Sequence, residues 1–219
     1  KLGEKFGDLS GRVVVTIRPE TSFEQIGGIA AAKAAVRGFT TALTDPDLYR
    51  KWGIHPPRGI LLYGPRGTGK SMLARALATS AGAILYHLKM MNLTSKFGPN
   101  TGELLQEIIN IAKTEGKAVV YLDEANALSL EHLLPPPQAR EASARLVAAL
   151  CEKFDGLDES ARILIVASTN RTDSVDRSLV EPGRLDRLVE VTLPDAADQQ
   201  QILQLVRERA EAKADRPLF

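Results

Sequence analysis

Gly59-Ile60-Leu61-Leu62-Tyr63-Gly64-Pro65-Arg66-Gly67-Thr68-Gly69-Lys70-Ser71-Met72-Leu73-Ala74-Arg75-Ala76-Leu77-Ala78 decides the fold. Its first part, Gly59 to Tyr63, is short and apolar, as a buried strand is. Its last part, Ser71 to Ala78, reads as a helix. Between them, Gly64 to Ser71 fits G-x-x-x-x-G-K-[ST] at every fixed position. A glycine-rich turn between strand and helix points several backbone N–H groups into one hollow, and the helix N-terminus adds partial positive charge. Such a hollow suits phosphate. Lys70 can reach terminal phosphates, and the Ser71 hydroxyl can ligate Mg²⁺. Gly64, Pro65, Arg66, Gly67, Thr68, Gly69, Lys70, Ser71 and Met72 are therefore the expected nucleotide-binding stretch. A glycine turn that merely packs would also satisfy the bare pattern; the strand before and the helix after argue against it.

Outward from this loop the chain alternates helix and strand. Segments 83–88, 118–122, 162–167 and 188–193 read as further strands, the last less apolar and so nearer an edge. Residues 29–43 are alanine-rich with helical spacing. Residues 102–113 place Leu104, Leu105, Ile108, Ile109 and Ala112 on one side of a helix. Residues 138–155 do the same with Leu146, Val147, Leu150 and Phe154, and 196–212 form a closing helix. Continuous apolar strands are buried on both faces. Alternation with helices then predicts an α/β fold, a mainly parallel five-stranded sheet covered on both sides. Ligands of such sheets bind at the C-terminal strand ends, where the glycine loop falls.

We expect three parts: 1–20, a linker or flanking strand; 21–195, the nucleotide-binding α/β subdomain; and 196–219, the start of a helical lid that is mostly absent. Lys1 in place of Met, and the ending just past a helix, read as the boundaries of an excised segment.

The 219 residues are 44% hydrophobic and 25% charged, with a net charge of +1. That balance gives no general attraction for nucleic acid. No basic, aromatic-studded stretch supplies one locally, so no nucleic-acid partner is expected. Cys151 is the only cysteine, which excludes an internal disulfide and fits a reducing, cytoplasmic compartment. It reads as a packed thiol. No apolar run approaches the roughly 20 residues of a membrane span. His55, His87 and His132 are scattered, show no metal-ligand spacing and receive no role.

The strand 118–122 runs directly into Asp123-Glu124. Beside a phosphate loop, Asp123 is placed to hold Mg²⁺ and Glu124 to orient and deprotonate water for attack on a γ-phosphate. Helix capping would account for one acid but poorly for both. The strand 162–167 leads to Ser168-Thr169-Asn170, where Asn170 can contact the attacking water or the γ-phosphate. ATP and Mg²⁺ are the implied ligands.

Taken together these motifs resemble those of AAA ATPase modules, in the clade of valosin-containing protein, the proteasomal ATPases and FtsH. The resemblance runs from about Ser22 to about Leu205. Ser22 to Gly28 resembles the family's adenine-contacting segment, which implies roles for Ile26 and Gly27. Gly64 to Ser71 resembles Walker A, Asp123-Glu124 Walker B, and Ser168 to Asp173 the sensor-1 turn. Pro182-Gly183-Arg184-Leu185-Asp186-Arg187 resembles the end of the second region of homology. By that resemblance Arg184 is an arginine finger acting on a neighbouring subunit's ATP; otherwise it is a surface arginine paired with Asp186 or Glu181. Relatives carry a second arginine where Glu181 stands. Ser95 to Pro99 occupies the pore-loop position, where Phe97 grips a threaded polypeptide or simply packs.

The resemblance implies an ATP-hydrolysing module of a ring-forming, typically hexameric, protein-remodelling machine. The alternative is an assembly or adaptor module with slow hydrolysis, motivated by Glu181 and the unusual pore loop. A nucleic-acid motor is disfavoured by the charge.

Overall fold

The computed structural model describes residues 13–16, 19–90, 101–125, 137–158, 161–171 and 175–214. Phe97 lies outside them. Among the described residues six strands form one sheet: β1 Val13–Thr16, β2 Gly59–Tyr63, β3 Ile84–Lys89, β4 Ala118–Asp123, β5 Ile163–Thr169 and β6 Arg187–Glu190. Their order is β1-β3-β4-β5-β2-β6. The five strands β2 to β6 run parallel, as expected. The flanking strand β1 adds a sixth, antiparallel to β3, and β6 is the opposite edge.

The helices are α1 Ala30–Arg37, α2 Thr40–Thr44, α3 Asp47–Lys51, α4 Lys70–Ala81, α5 Thr101–Glu115, α6 Pro137–Asp155 and α7 Ala196–Ala214. Strand side chains alternate between faces, and β2 shows why its run is unbroken. Ile60 and Leu62 join Leu73, Ala74 and Leu77 of α4 and Val36 of α1 on one face. Leu61 joins Leu104 and Ile108 of α5 and Leu150 and Phe154 of α6 on the other. Both faces are covered, so a polar residue on β2 would be buried whichever way it pointed. Each fully buried Leu or Ile here contributes roughly 1.5–3 kcal/mol.

Besides small shifts at element ends, three segments differ from the periodicity. The helix expected over 29–43 is two helices. At Gly38-Phe39 the ladder tightens: Phe39 N–H donates to the Val36 carbonyl at 3.1 Å and Ala42 N–H to that of Phe39 at 3.1 Å. β6 is registered only to Glu190, although Val191 N–H still donates to the Tyr63 carbonyl at 2.8 Å. The short helix α3, behind Pro46, has too few residues to show a period. Cys151 packs partly buried against the α5–α6 core.

Candidate nucleotide site

The phosphate loop leaves β2 and turns into α4 through Gly69, whose φ of +98° L side chains rarely adopt. Thr68 Oγ1 donates to the Pro65 carbonyl at 3.0 Å, which braces the turn. Lys70 Nζ donates to the carbonyls of Gly64 at 2.7 Å and Pro65 at 2.6 Å. The lysine is thus folded onto its own loop, and only 8% of the residue is exposed. Burial pulls its pKa down, Asp123 opposes that shift, and Arg66 adds to it.

A cleft of about 330 Å³ opens over the loop. Arg66, Gly67, Gly69, Lys70, Ser71 and Met72 line it from the loop, Asp123 and Glu124 from the end of β4, and Asn170 from beyond β5. These residues lie far apart in sequence and share the carboxyl edge of the sheet. A second hollow of about 200 Å³ shares Gly67, Gly69 and Met72 with the first. Ile26, Gly27 and Thr68 line it together with Ile202, Leu205, Val206 and Arg209 of α7. A Cβ on Gly27 would stand 2.8 Å from the Ile202 backbone, so only glycine lets α7 approach this closely. Gly64 and Pro65 sit behind the cleft as acceptors for Lys70.

Asp123 is tightly bound. Its Oδ1 accepts from Tyr121 Oη at 2.9 Å, Ser168 Oγ at 2.7 Å and Glu124 N–H at 3.1 Å. Its Oδ2 faces His87 Nε2 at 3.3 Å. Burial alone would raise the Asp123 pKa, but the bonds from His87, Ser168 and Tyr121 outweigh it and hold the carboxyl well below its ordinary range. Burial, with the Asp123 charge next, pushes the Tyr121 phenol up, so it remains an O–H donor. Glu124 adopts φ +59°, a left-handed conformation uncommon for a non-glycine residue. Conformations of this kind cost about 1–3 kcal/mol and gather at functional sites. Glu124 also lies 4.0 Å from the exposed Arg66 guanidinium, too far for a strong pair.

Arg184 does not line the cleft. Its Nε and Nη2 donate to the two Asp155 oxygens at 3.1 and 2.9 Å, and Nη1 donates to the Ser178 carbonyl at 2.6 Å and to Glu181 at 3.0 Å. Asp186 is occupied elsewhere, accepting from Gly183 N–H. Asp155 ends α6, and nothing in its sequence context pointed to Arg184. Tyr121, Ser168, His87 and the α7 residues were also not foreseen. Period-two spacing puts Tyr121 on the same side as Asp123, a signal hidden inside an apolar run.

The oxygen donors suit a hard divalent cation: the Ser71 hydroxyl and the Asp123 carboxylate face the same cleft. Among the described residues no helix is long and apolar enough to cross a membrane.

Comparison with known proteins finds relatives over most of this chain. The chain is 36% identical over 188 residues to a protein named proteasome-activating nucleotidase from Methanoculleus marisnigri, covering 85% of this chain and 46% of that protein. The protein of the same name from Thermococcus onnurineus is 34% identical over 197 residues, covering 90% and 50%. That of Saccharolobus solfataricus is 33% identical over 189 residues, covering 86% and 48%. The chain thus spans about half the length of these relatives. Residues 60–193, more than half of the chain, match the ATPase family associated with various cellular activities (AAA). That match runs from the phosphate-loop strand to beyond β6, taking in every residue that lines the cleft but not α7 or the segment at Ile26, which line the second hollow, and the chain belongs to the AAA family.

Proposed function

We propose that the chain binds ATP with Mg²⁺ in the cleft over Lys70 and hydrolyses it, as one nucleotide-binding module of a ring-forming protein-remodelling machine. The observation that carries this is the convergence of Lys70, Ser71, Asp123, Glu124 and Asn170 on one cleft. The loop N–H groups and the α4 N-terminus take the phosphates. Lys70 turns from the Gly64 and Pro65 carbonyls to the β- and γ-phosphates. The adenine enters the hollow between Ile26-Gly27 and α7. Ser71 and Asp123 would hold Mg²⁺, which when bound neutralises phosphate charge. Glu124 orients a water for attack and takes its proton, and Asn170 hydrogen-bonds that water or the γ-phosphate. The relatives' name, proteasome-activating nucleotidase, supports nucleotide turnover linked to a protein-processing partner. A hexameric ring, a polypeptide contact at Phe97 and a cytoplasmic location belong to the same proposal.

The closure of Arg184 on Asp155 and Glu181 favours a second reading. In it the module binds ATP, hydrolyses it slowly and works mainly in assembly. Steady-state hydrolysis against protein concentration, with and without unfolded polypeptide, tests both readings. A rate rising with concentration and stimulated by polypeptide supports the first. A low, flat rate with tight ATP binding supports the second. No ATP binding at all refutes both.

A further inference from the structure

The proposed metal carboxylate is gripped from three adjacent strands. Register explains how. His87 of β3 is the Cα partner of Tyr121 of β4, and Leu122 pairs with Ala167 of β5, which brings Ser168 beside Asp123. Tyr121 and Asp123, two residues apart, project to the same side of the sheet. The Tyr121 hydroxyl lies 2.9 Å from Ser168 Oγ as well as 2.9 Å from Asp123 Oδ1, so the three oxygens close a triangle. Tyr121 and Ser168 are each 1% exposed and His87 7%, whereas Asp123 keeps part of its surface in the cleft.

The two carboxylate oxygens are treated unequally. Oδ1 faces three protein donors, more than the roughly two lone pairs of a carboxylate oxygen, so it is saturated. Oδ2 receives one, from His87, at the longest distance of the four. A carboxylate only accepts, so His87 Nε2 carries the proton in that contact. Rotation of the carboxyl group about its Cβ–Cγ bond would break bonds on three strands at once.

We infer that His87, Tyr121 and Ser168 are positioning residues that lock the Asp123 carboxylate, with Oδ1 saturated and Oδ2 holding a single donor, in the orientation in which it would hold the Mg²⁺ of the nucleotide. The inference rests on the reading of the cleft as a Mg²⁺–nucleotide site. It assigns a task to three residues to which the sequence alone gives none. Outer-shell groups of this kind typically change metal affinity 10–100-fold when removed.

The test is a Mg²⁺ titration of fluorescent-ATP-analogue binding, with binding in EDTA and thermal melting measured alongside. Tyr121→Phe combined with Ser168→Ala should raise the Mg²⁺ concentration for half-saturation by about 10–100-fold, with nucleotide affinity in EDTA unchanged. His87→Gln, which keeps an N–H donor, should stay nearer the parent than His87→Ala. A purely structural role would lower the melting temperature and leave the half-saturation point in place. Should the double variant fail to fold, Tyr121→Phe alone carries the test, since it removes one oxygen and keeps the ring. An unchanged half-saturation point in folded Tyr121→Phe and Ser168→Ala, beside a clear Mg²⁺ dependence in the parent, overturns this inference alone. A parent whose nucleotide binding ignores Mg²⁺ overturns the metal site and this inference with it.

Discussion

Arg184→Ala separates a staple from a finger. The structure shows its guanidinium closed within its own chain, with the side chain 16% exposed and Asp155 59% exposed. An exposed pair contributes about 0.2–1 kcal/mol, and bidentate geometry places this one near the upper end. The 2.6 Å bond to the Ser178 carbonyl is charge-assisted and partly buried; such bonds contribute roughly 1.5–3 kcal/mol. Glu181, 58% exposed, adds a few tenths at most. Removal should therefore cost about 2.5–4 kcal/mol in all, which for a chain of this size lowers Tm by about 5–16 °C. Asp155→Asn should cost less than about 1 kcal/mol, and a double-mutant cycle should show coupling of similar size. The sign with pH follows from Asp155. Its bonds from Arg184 hold its folded pKa below the ordinary value of 3.8. The coupling is then fully present above that value and fades as pH falls through the lower folded one. Calorimetry at neutral pH and again in acid reads both. If Arg184→Ala melts with the parent, the guanidinium is not held in this way, and it is free to reach a neighbouring subunit.

Lys70→Ala should weaken ATP-analogue binding about 10–100-fold, the effect of one lost charge-assisted bond, read by fluorescence titration. Glu124→Gln should bind ATP like the parent and hydrolyse it about 10²–10⁴-fold more slowly, read as phosphate release. Gly27→Val should drive α7 from the hollow it lines with Ile26 and Gly27. Calorimetry should then find ATP binding weakened and inorganic tripolyphosphate binding spared; equal loss of both would show that the hollow does not hold the base.

The parallel sheet was legible because burial on both faces leaves continuous apolar runs, such as Gly59–Tyr63 and Ala118–Leu122. The cleft was legible because its residues sit at strand ends or in a glycine turn, where local chemistry and position coincide. What was hidden depends on register. His87 meets Asp123 only because β3 lies beside β4, and a lone histidine in an apolar strand carries no mark of its neighbour. Tyr121 reads as core and Ser168 as the start of the sensor-1 turn, since a hydroxyl signals nothing until its acceptor is known. Asp155 and Arg184 lie 29 positions apart in sequence, with β5 between them. The approach of α7 to Gly27 depends on the absence of a Cβ, which no periodicity reveals.

A single-turnover experiment, with protein in excess over radiolabelled ATP and Mg²⁺, tests the central claim most directly because it reads binding and cleavage in the same cleft. The parent should retain the nucleotide and convert it to ADP and phosphate, Glu124→Gln should retain it uncleaved, and Lys70→Ala should retain little. Equal retention by Lys70→Ala and the parent, or cleavage by Glu124→Gln at the parent rate, would contradict the account.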